Sequence, residues 1–214
     1  RAAAQHLGGT TGPDFAALVI QNNGLATDVD VEVDTATSVA SLAVDKGVKL
    51  QLDATLTVAG GVTVNNNVKT GLVNFDSPGI ANLKLTGAPG TINPTNADAG
   101  MRIDRLEIAG GTVAVLGTGG TAEKLLVDGA FTLTSGTLRI GDGTQGTPPT
   151  SLIEFDVPVS VPGLTVLDVD TNATLDLDAA LSFAGTVQLD ATSTVLLSSN
   201  WTQQGTGVLT AVAG

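Results

Sequence analysis

Aspartate alternates with apolar residues in two parts of the sequence, and this spacing could bind a cation. The aspartates concerned are Asp28, Asp30, Asp168, Asp170, Asp176 and Asp178. In a β-strand, alternate side chains leave the same face about 6.6 Å apart. Strands stacked in parallel would also bring like charges opposite each other, which costs energy unless lysine pairs with them or a cation bridges them. Calcium is the natural cation, because it accepts about six to eight oxygen ligands in a flexible geometry.

The alternative interpretation of these aspartates is a solvated strand face, which keeps a β-protein soluble and prevents sheets from pairing edge to edge. The stretch Asp168-Val-Asp170-Thr-Asn172 resembles the start of a helix–loop–helix calcium loop. Ala173 and Ala179 stand where that loop requires glycine and a bidentate glutamate, so the motif fails. The sequence therefore leaves both interpretations open.

Catalytic chemistry has few candidates. His6 is the single histidine, and a terminal histidine is more often solvated than part of a catalytic triad. Arg102, Asp104, Arg105 and Glu107 form a mixed-charge cluster. The first two share one strand face and the last two share the other, which favours a surface ion-pair network over a carbohydrate-cleaving site. We expect no enzymatic activity.

The composition excludes several partners. The 214 residues include nine Lys plus Arg, 21 Asp plus Glu and no cysteine, and the formal net charge is −12. Nucleic acid is an unsuitable partner, because binding the phosphate backbone needs clustered basic residues. Membrane insertion is not expected either, since no run reaches the roughly 18 apolar residues of a spanning helix.

Short strands account for most of the chain. Runs of three to five alternating residues, such as Val48 to Leu52 and Leu181 to Phe183, are separated by Gly, Asn and Asp in turn combinations. Helix is considered only for residues 1–6 and 14–20. We expect an N-terminal arm or cap over residues 1–24 and a β-domain over residues 25–214, with loop insertions near residues 78–100 and 141–150.

An internal repeat supports a stacked architecture. The segment Leu50-Gln-Leu-Asp-Ala-Thr-Leu-Thr-Val-Ala-Gly60 is identical to residues 175–185 at seven of eleven positions. Repeated strands with glycine turns are typical of a β-solenoid, in which coils stack about 4.8 Å apart. Coils of roughly 20 to 25 residues would give about nine or ten turns. The alternative is a β-sandwich, with donor-strand exchange in which the N-terminal segment is inserted into a neighbouring subunit.

Several phrases resemble the degenerate repeats of bacterial cell-surface β-solenoid proteins, namely autotransporter passengers and filamentous haemagglutinin-like adhesins. They are Ser41-Leu-Ala-Val44, Gly60-Gly-Val-Thr-Val64, Ser135-Gly-Thr-Leu138 and Asn200-Trp-Thr-Gln-Gln-Gly205-Thr. The resemblance covers most of residues 25–214 and lies in texture rather than in a diagnostic motif. It implies a right-handed parallel β-helix, an extracellular or cell-surface location, and a role in adhesion or as building material.

The expected function is therefore structural. No amphipathic capping helix is evident near Thr210-Ala-Val-Ala-Gly214, so the last coil would offer an edge for self-assembly. Contact between opposite ends does not close, and it would build a filament or surface layer head to tail. The chain could equally be a rod segment of a larger adhesin. The alternative is a carbohydrate-binding or carbohydrate-cleaving β-helix, with surface glycans as partners and a groove beside Arg102 and Arg105.

Overall fold

The strands of this protein stack in parallel into a β-solenoid of about seven turns. The structure, a computed structural model, describes residues 17–21, 29–65, 73–87, 90–94, 100–116, 124–141 and 151–211. Every strand pairing in these residues is parallel, and none of them is helical. The solenoid predicted from the repeat is confirmed, and the alternative β-sandwich is wrong, because sandwich strands would pair antiparallel.

Three columns of strands form the sides of the solenoid. Column A contains β2 (Val29–Val33), β5 (Val48–Leu52), β8 (Val73–Asp76), β13 (Leu152–Phe155), β16 (Thr174–Leu177) and β19 (Thr194–Leu197). Column B contains β3 (Thr37–Val39), β6 (Leu56–Val58), β9 (Leu83–Leu85), β14 (Val159–Val161), β17 (Leu181–Phe183) and β20 (Trp201–Gln203). Column C contains β1 (Leu18–Ile20), β4 (Leu42–Asp45), β7 (Gly61–Asn65), β10 (Gly90–Asn93), β15 (Val166–Val169), β18 (Thr186–Leu189) and β21 (Val208–Ala211).

Two long strands run through all three columns in the middle of the stack. They are β11 (Met101–Val115) and β12 (Lys124–Ile140), which pair with each other along most of their length. We call one strand from each of columns A, B and C a level. From β2 to β21 the stack therefore has eight levels, so seven steps separate the first level from the last. We call residues 29–45 the first coil and residues 194–211 the last coil.

Inward side chains build a continuous aliphatic core along the axis. One ladder in column A runs through Val31, Leu50, Phe75, Ile103, Val127, Phe155, Leu177 and Leu197. Phe131 and Phe155 add an aromatic contact between neighbouring levels, with ring centroids 4.8 Å apart. Outward residues alternate with these core residues, because successive side chains of a strand point to opposite faces.

The internal repeat occupies equivalent positions on two levels. Both copies run from column A through column B and end at the corner before column C, at Gly60 and Gly185. A Cβ atom at Gly60 would lie 2.6 Å from the Ala40 carbonyl oxygen, and one at Gly185 would lie 2.2 Å from the Pro162 carbonyl oxygen. Both glycines are needed because the backbones of successive levels meet at this corner.

The expectation of nine or ten turns is wrong, because the described levels begin only at residue 29 and two of the seven steps between them exceed the predicted 25 residues. Column A strands begin at residues 29, 48, 73, 101, 124, 152, 174 and 194. The longer coils include residues 66–72, 95–99, 117–123 and 142–150, which lie outside the described residues.

The structure also describes parts of the segments predicted as a loop insertion and as helix. Within the stretch 78–100, residues 83–85 and 90–93 are strands of the stack. The helix considered for residues 14–20 is wrong over Leu18–Ile20, which is a strand paired with β4. Residues 1–16 and 22–28, with His6, lie outside the described residues.

Candidate functional site

The aspartates singled out from the sequence lie on two different sides of the solenoid. Asp30, Asp176 and Asp178 belong to column A or its end, whereas Asp168 and Asp170 belong to column C or its end. Asp28 lies outside the described residues. The structure therefore does not gather these residues into a single site.

On five successive levels, the ladder residue of column A is followed in the sequence by an aspartate. The paired residues Phe75, Ile103, Val127, Phe155 and Leu177 are each followed by an aspartate. The backbone N–H groups of Asp156 and Asp178 donate to the carbonyl oxygens of the level below, both at 3.0 Å. We call this column the acidic corner, and it consists of Asp76, Asp104, Asp128, Asp156 and Asp178. Of these five, sequence reasoning proposed Asp178 as a cation ligand and placed Asp104 in a mixed-charge cluster. The signal it missed was an apolar residue followed by Asp at the end of successive column A strands.

Basic side chains and backbone amides compensate the first three carboxylates of the acidic corner. The Nζ atom of Lys49 lies 2.8 Å from Oδ2 of Asp76, and Nε of Arg102 donates to Oδ2 of Asp128. The backbone N–H of Ser77 donates to Oδ2 of Asp104 at 3.1 Å. The hydrogen bond to Asp76 raises the pKa of Lys49 above its ordinary value. These pairs lie at the surface, so each contributes modestly to stability.

Asp104 lies at a register shift between β11 and β12. The pairing advances from Ile103 opposite Val127 to Arg105 opposite Ala130, so one extra residue is accommodated in β12. A Cβ atom at Gly129 would lie 1.9 Å from Oδ1 of Asp104. Gly129 therefore leaves the space in which this carboxylate sits.

The last two levels of the acidic corner present a cluster of carboxylates. Oxygen atoms of Glu154, Asp156 and Asp178 all lie within 4.8 Å of one another, and both aspartates are exposed. Asp176 lies directly opposite Glu154 in the strand register. Three such oxygens are the type of ligand that calcium takes, although calcium needs further ligands to complete its shell. Calcium at Asp176 and Asp178 stays a prediction, and Glu154 and Asp156 join them as candidate ligands.

Asp168 and Asp170 have a different environment, in which an arginine is their partner. Both are buried, with relative exposures of 4% and 5%. Nε of Arg139 lies 2.9 Å from Oδ2 of Asp168 and 3.6 Å from Oδ1 of Asp170. Burial lowers the pKa of Arg139, but its hydrogen bond to Asp168 and the charges of nearby aspartates raise that pKa more. The arginine therefore remains charged beside two buried carboxylates.

The mixed-charge cluster of β11 divides between columns A and B, but the prediction that it occupies two opposite strand faces is wrong. Arg102, Asp104, Arg105 and Glu107 all lie on the outer side, because the alternation breaks at the corner between residues 104 and 105. Arg102 reaches Asp128 from column A, whereas Glu107 lies in column B and accepts hydrogen bonds from Lys84 Nζ at 2.8 Å and from Asn82 Nδ2 at 3.2 Å. Arg105 donates to Asn82 Oδ1 at 3.4 Å. Arg102 and Glu107 therefore form ion pairs with Asp128 and Lys84, which lie outside the cluster, and the two arginines contact different residues.

The last coil has an edge without a neighbour. Strands β19, β20 and β21 each pair with the level before, and none pairs with a further strand among the described residues. Four large apolar residues of this coil are about half exposed: Leu196 at 48%, Leu197 at 44%, Val208 at 49% and Leu209 at 47%. Leu197 and Leu209 continue core ladders that are otherwise buried.

The first coil has a different surface. Its inward residues Val33 and Val39 have no exposed surface, and its outward residues include Asp30 and Glu32. Charged residues on edge strands prevent pairing with other chains. In column C this coil is also covered by β1, which pairs with β4, whereas no described strand pairs with β2 or β3 on that side.

Comparison with known proteins identifies no relative. Neither family models, nor curated proteins, nor solved structures give a match to this chain. The described residues also include no helix with the length and hydropathy needed to cross a membrane.

Proposed function

We propose that this protein is a structural, non-enzymatic rod that joins another solenoid coil through its last coil. The observation that carries the proposal is the combination of three edge strands with half-exposed Leu197 and Leu209. Edge strands expose a row of N–H and C=O groups that accept a further strand. Burying the two leucines would add apolar contact area at about 25 cal/mol per Å².

Joining of coils accounts for the roles expected from the sequence. Contact between opposite ends builds a filament or surface layer, and contact with further coils makes the chain a rod segment of a larger adhesin. The resemblance to autotransporter passengers and haemagglutinin-like adhesins supports an extracellular or cell-surface location. Surface glycans are a further proposed partner class, for which the separated arginines Arg102 and Arg105 give no dedicated groove.

The proposal is tested by placing a charge on the last coil. Thr210 is an exposed residue of β21, so Thr210→Lys should not disturb the core. The matched control is Thr63→Lys, at an exposed residue of β7 in the same column. We expect sedimentation velocity to show assemblies for the parent chain and the control, and monomers for Thr210→Lys. A parent chain that stays monomeric at high concentration would overturn the proposal.

A further inference from the structure

Three carboxylates surround one arginine on the outer side of column C. Nε of Arg139 lies 2.9 Å from Oδ2 of Asp168 and 3.6 Å from Oδ1 of Asp170, and Asp190 lies near enough for its charge to act on the arginine. Burial lowers the pKa of Arg139, whereas the three aspartates together raise it above its ordinary value. Within this group, three negative charges therefore face one positive charge.

The strand register arranges four oxygen-bearing side chains in a rectangle. Asp168 lies directly opposite Gln188 in the pairing of β15 with β18. Asp170 and Asp190 lie two residues further along the chain, so all four residues are on the outer side of column C. With levels about 4.8 Å apart and alternate residues about 6.6 Å apart, the centre of the rectangle lies about 4 Å from each corner. That distance suits calcium, which binds side-chain oxygens at about 2.3–2.6 Å.

One carboxylate oxygen of this group is buried without a hydrogen-bond donor. The side chain of Asp168 is only 5% exposed, and its Oδ2 accepts a hydrogen bond from Arg139. Its Oδ1 is buried and has no hydrogen-bond partner among the described residues. The opposite amide does not supply one, since Nε2 of Gln188 donates to Asp190 Oδ1 at 3.5 Å. A buried acceptor without a donor costs free energy, so this oxygen indicates a bound ion or water molecule.

The neighbouring residues separate the arginine pair from this oxygen. A Cβ atom at Gly141 would lie 2.5 Å from Oδ2 of Asp170, so the Asp170 carboxylate reaches back to the level that contains Arg139. Asp168, Gln188 and Asp190 border the following level. The hydroxyl oxygen of Thr171 is a second buried oxygen without a hydrogen-bond partner in the described part of the chain, and it lies at the same corner of the stack.

We propose that this group binds one calcium ion, with Asp168 Oδ1, the Asp190 carboxylate and the side-chain oxygen of Gln188 as its protein ligands. Asp170 adds negative charge and pairs with the arginine. The amide of Gln188 can present its oxygen in place of Nε2, and water completes a shell of about six to eight oxygens. The positive charge of Arg139 opposes binding, so we expect a dissociation constant of about 10⁻⁴–10⁻³ M, as in extracellular calcium modules. We call this group the column C site.

NMR spectroscopy of the full chain, labelled with ¹⁵N, can locate the ion. Calcium chloride should shift the amide signals of residues 168–171 and 188–191 along saturable curves. Magnesium chloride at the same ionic strength should not, because magnesium demands octahedral geometry and keeps its own water. Saturable shifts confined to residues 154–156 and 176–178 would overturn the inference while leaving calcium at the acidic corner as a prediction. Equal effects of the two salts at the column C site, expected if only water lies there, would also overturn it.

Variants of two ligands test the assignment of the site. Asp190→Asn removes one charge but leaves the ion pair between Arg139 and Asp168 in place, and it should weaken calcium binding on the order of tenfold. Gln188→Val, at an outward strand position, removes the amide oxygen and tests the same site with a second fold-compatible change. Asp178→Asn is the matched control at the acidic corner, and it should leave the calcium curves of residues 168–171 unchanged. Unchanged curves in Asp190→Asn and Gln188→Val would contradict the assignment.

Discussion

Thr192 has a backbone conformation that β-branched residues rarely adopt, with a φ angle of 62°. It lies in a turn closed by a hydrogen bond from the Ser193 N–H to the Asp190 carbonyl oxygen at 3.1 Å. One level earlier, Asn172 occupies the equivalent position with φ 58°. Asparagine tolerates positive φ because its short polar side chain can form hydrogen bonds with nearby groups. The chain thus contains both a suited and an unsuited residue in the same turn.

This comparison predicts the effect of replacing Thr192. Thr192→Asn should raise the free energy of unfolding by about 0.5–1 kcal/mol, because it relieves backbone strain of this order. The control Thr194→Asn lies in strand β19 and should leave stability unchanged or lower it, since asparagine is unfavourable in strands. Urea denaturation measures both variants. A loss of stability in Thr192→Asn would show that the hydrogen bond from Thr192 Oγ1 to Asn172 Oδ1, at 2.6 Å, outweighs the strain.

Neutralising two different aspartates of the acidic corner should change the free energy of unfolding in opposite directions. Asp178 lies within 4.8 Å of Glu154 and Asp156, so Asp178→Asn removes repulsion and should stabilise the protein by about 0.2–1 kcal/mol at low salt. Asp76 pairs with Lys49, so Asp76→Asn should destabilise it by less than about 1 kcal/mol. Thermal denaturation in low and high salt measures both effects. The stabilisation by Asp178→Asn should become smaller at high salt, because salt screens the charges. If both variants changed stability in the same direction, this interpretation of the acidic corner would be contradicted.

The calcium prediction can be examined with the same variant. Calcium that bound the parent chain would raise its melting temperature, since a ligand of the folded state stabilises that state by mass action. Asp178→Asn should then reduce the rise, because it replaces one of the clustered carboxylates. Equal melting temperatures of the parent chain with calcium and with magnesium at the same ionic strength would contradict a calcium-specific site.

At the level of elements, β12 and β15 are held together by a partly buried ion pair. The side chain of Arg139 is 35% exposed, whereas the side chain of its partner Asp168 is only 5% exposed. Arg139→Gln should lower the free energy of unfolding by about 2–3 kcal/mol, because it leaves buried carboxylates without their cation. Lys49→Gln is the matched control at a more exposed pair and should cost less than about 1 kcal/mol. Similar losses in chemical denaturation would indicate that burial does not distinguish the two pairs.

Two strands have the bounds that the sequence predicts, namely Val48–Leu52 and Leu181–Phe183. In both, apolar residues alternate with polar residues over the whole strand. Strands β8, β10 and β20 were missed, since residues such as Asn74, Thr91 and Gln203 give them too little apolar pattern. Their neighbours in the stack determine these strands, and a single sequence window does not contain those neighbours.

The acidic corner was missed for a related physical reason. It depends on the register between coils, and the residues between successive column A strands vary in number from coil to coil. Asp128 and Asp156 are adjacent only because loops of unequal length restore the same register. Alternation also gave the wrong faces for the Arg102 cluster. The chain turns a corner between residues 104 and 105, which interrupts the alternation, and a single sequence window does not reveal that corner.

For the molecule as a whole, stacking of levels implies that stability is not uniform along the axis. Each level of a solenoid contacts only its neighbours, so a terminal level has contacts on one side alone. Local opening requires less free energy where few apolar contacts are lost. The last coil, with Leu197 and Leu209 half exposed, should therefore open more easily than the central strands β11 and β12.

Hydrogen exchange followed by mass spectrometry measures this difference and links it to assembly. In dilute solution, peptides covering residues 194–211 should exchange faster than peptides from β11 and β12, because no described strand pairs with the last coil on its outer side, whereas β11 and β12 have paired strands on both sides. At concentrations where the chain assembles through its last coil, exchange in residues 194–211 should slow markedly. Slower exchange at both ends would indicate head-to-tail joining, because that contact covers the first coil as well. Uniform exchange along the chain at every concentration would contradict the gradient, since it would require all levels to open as one cooperative unit.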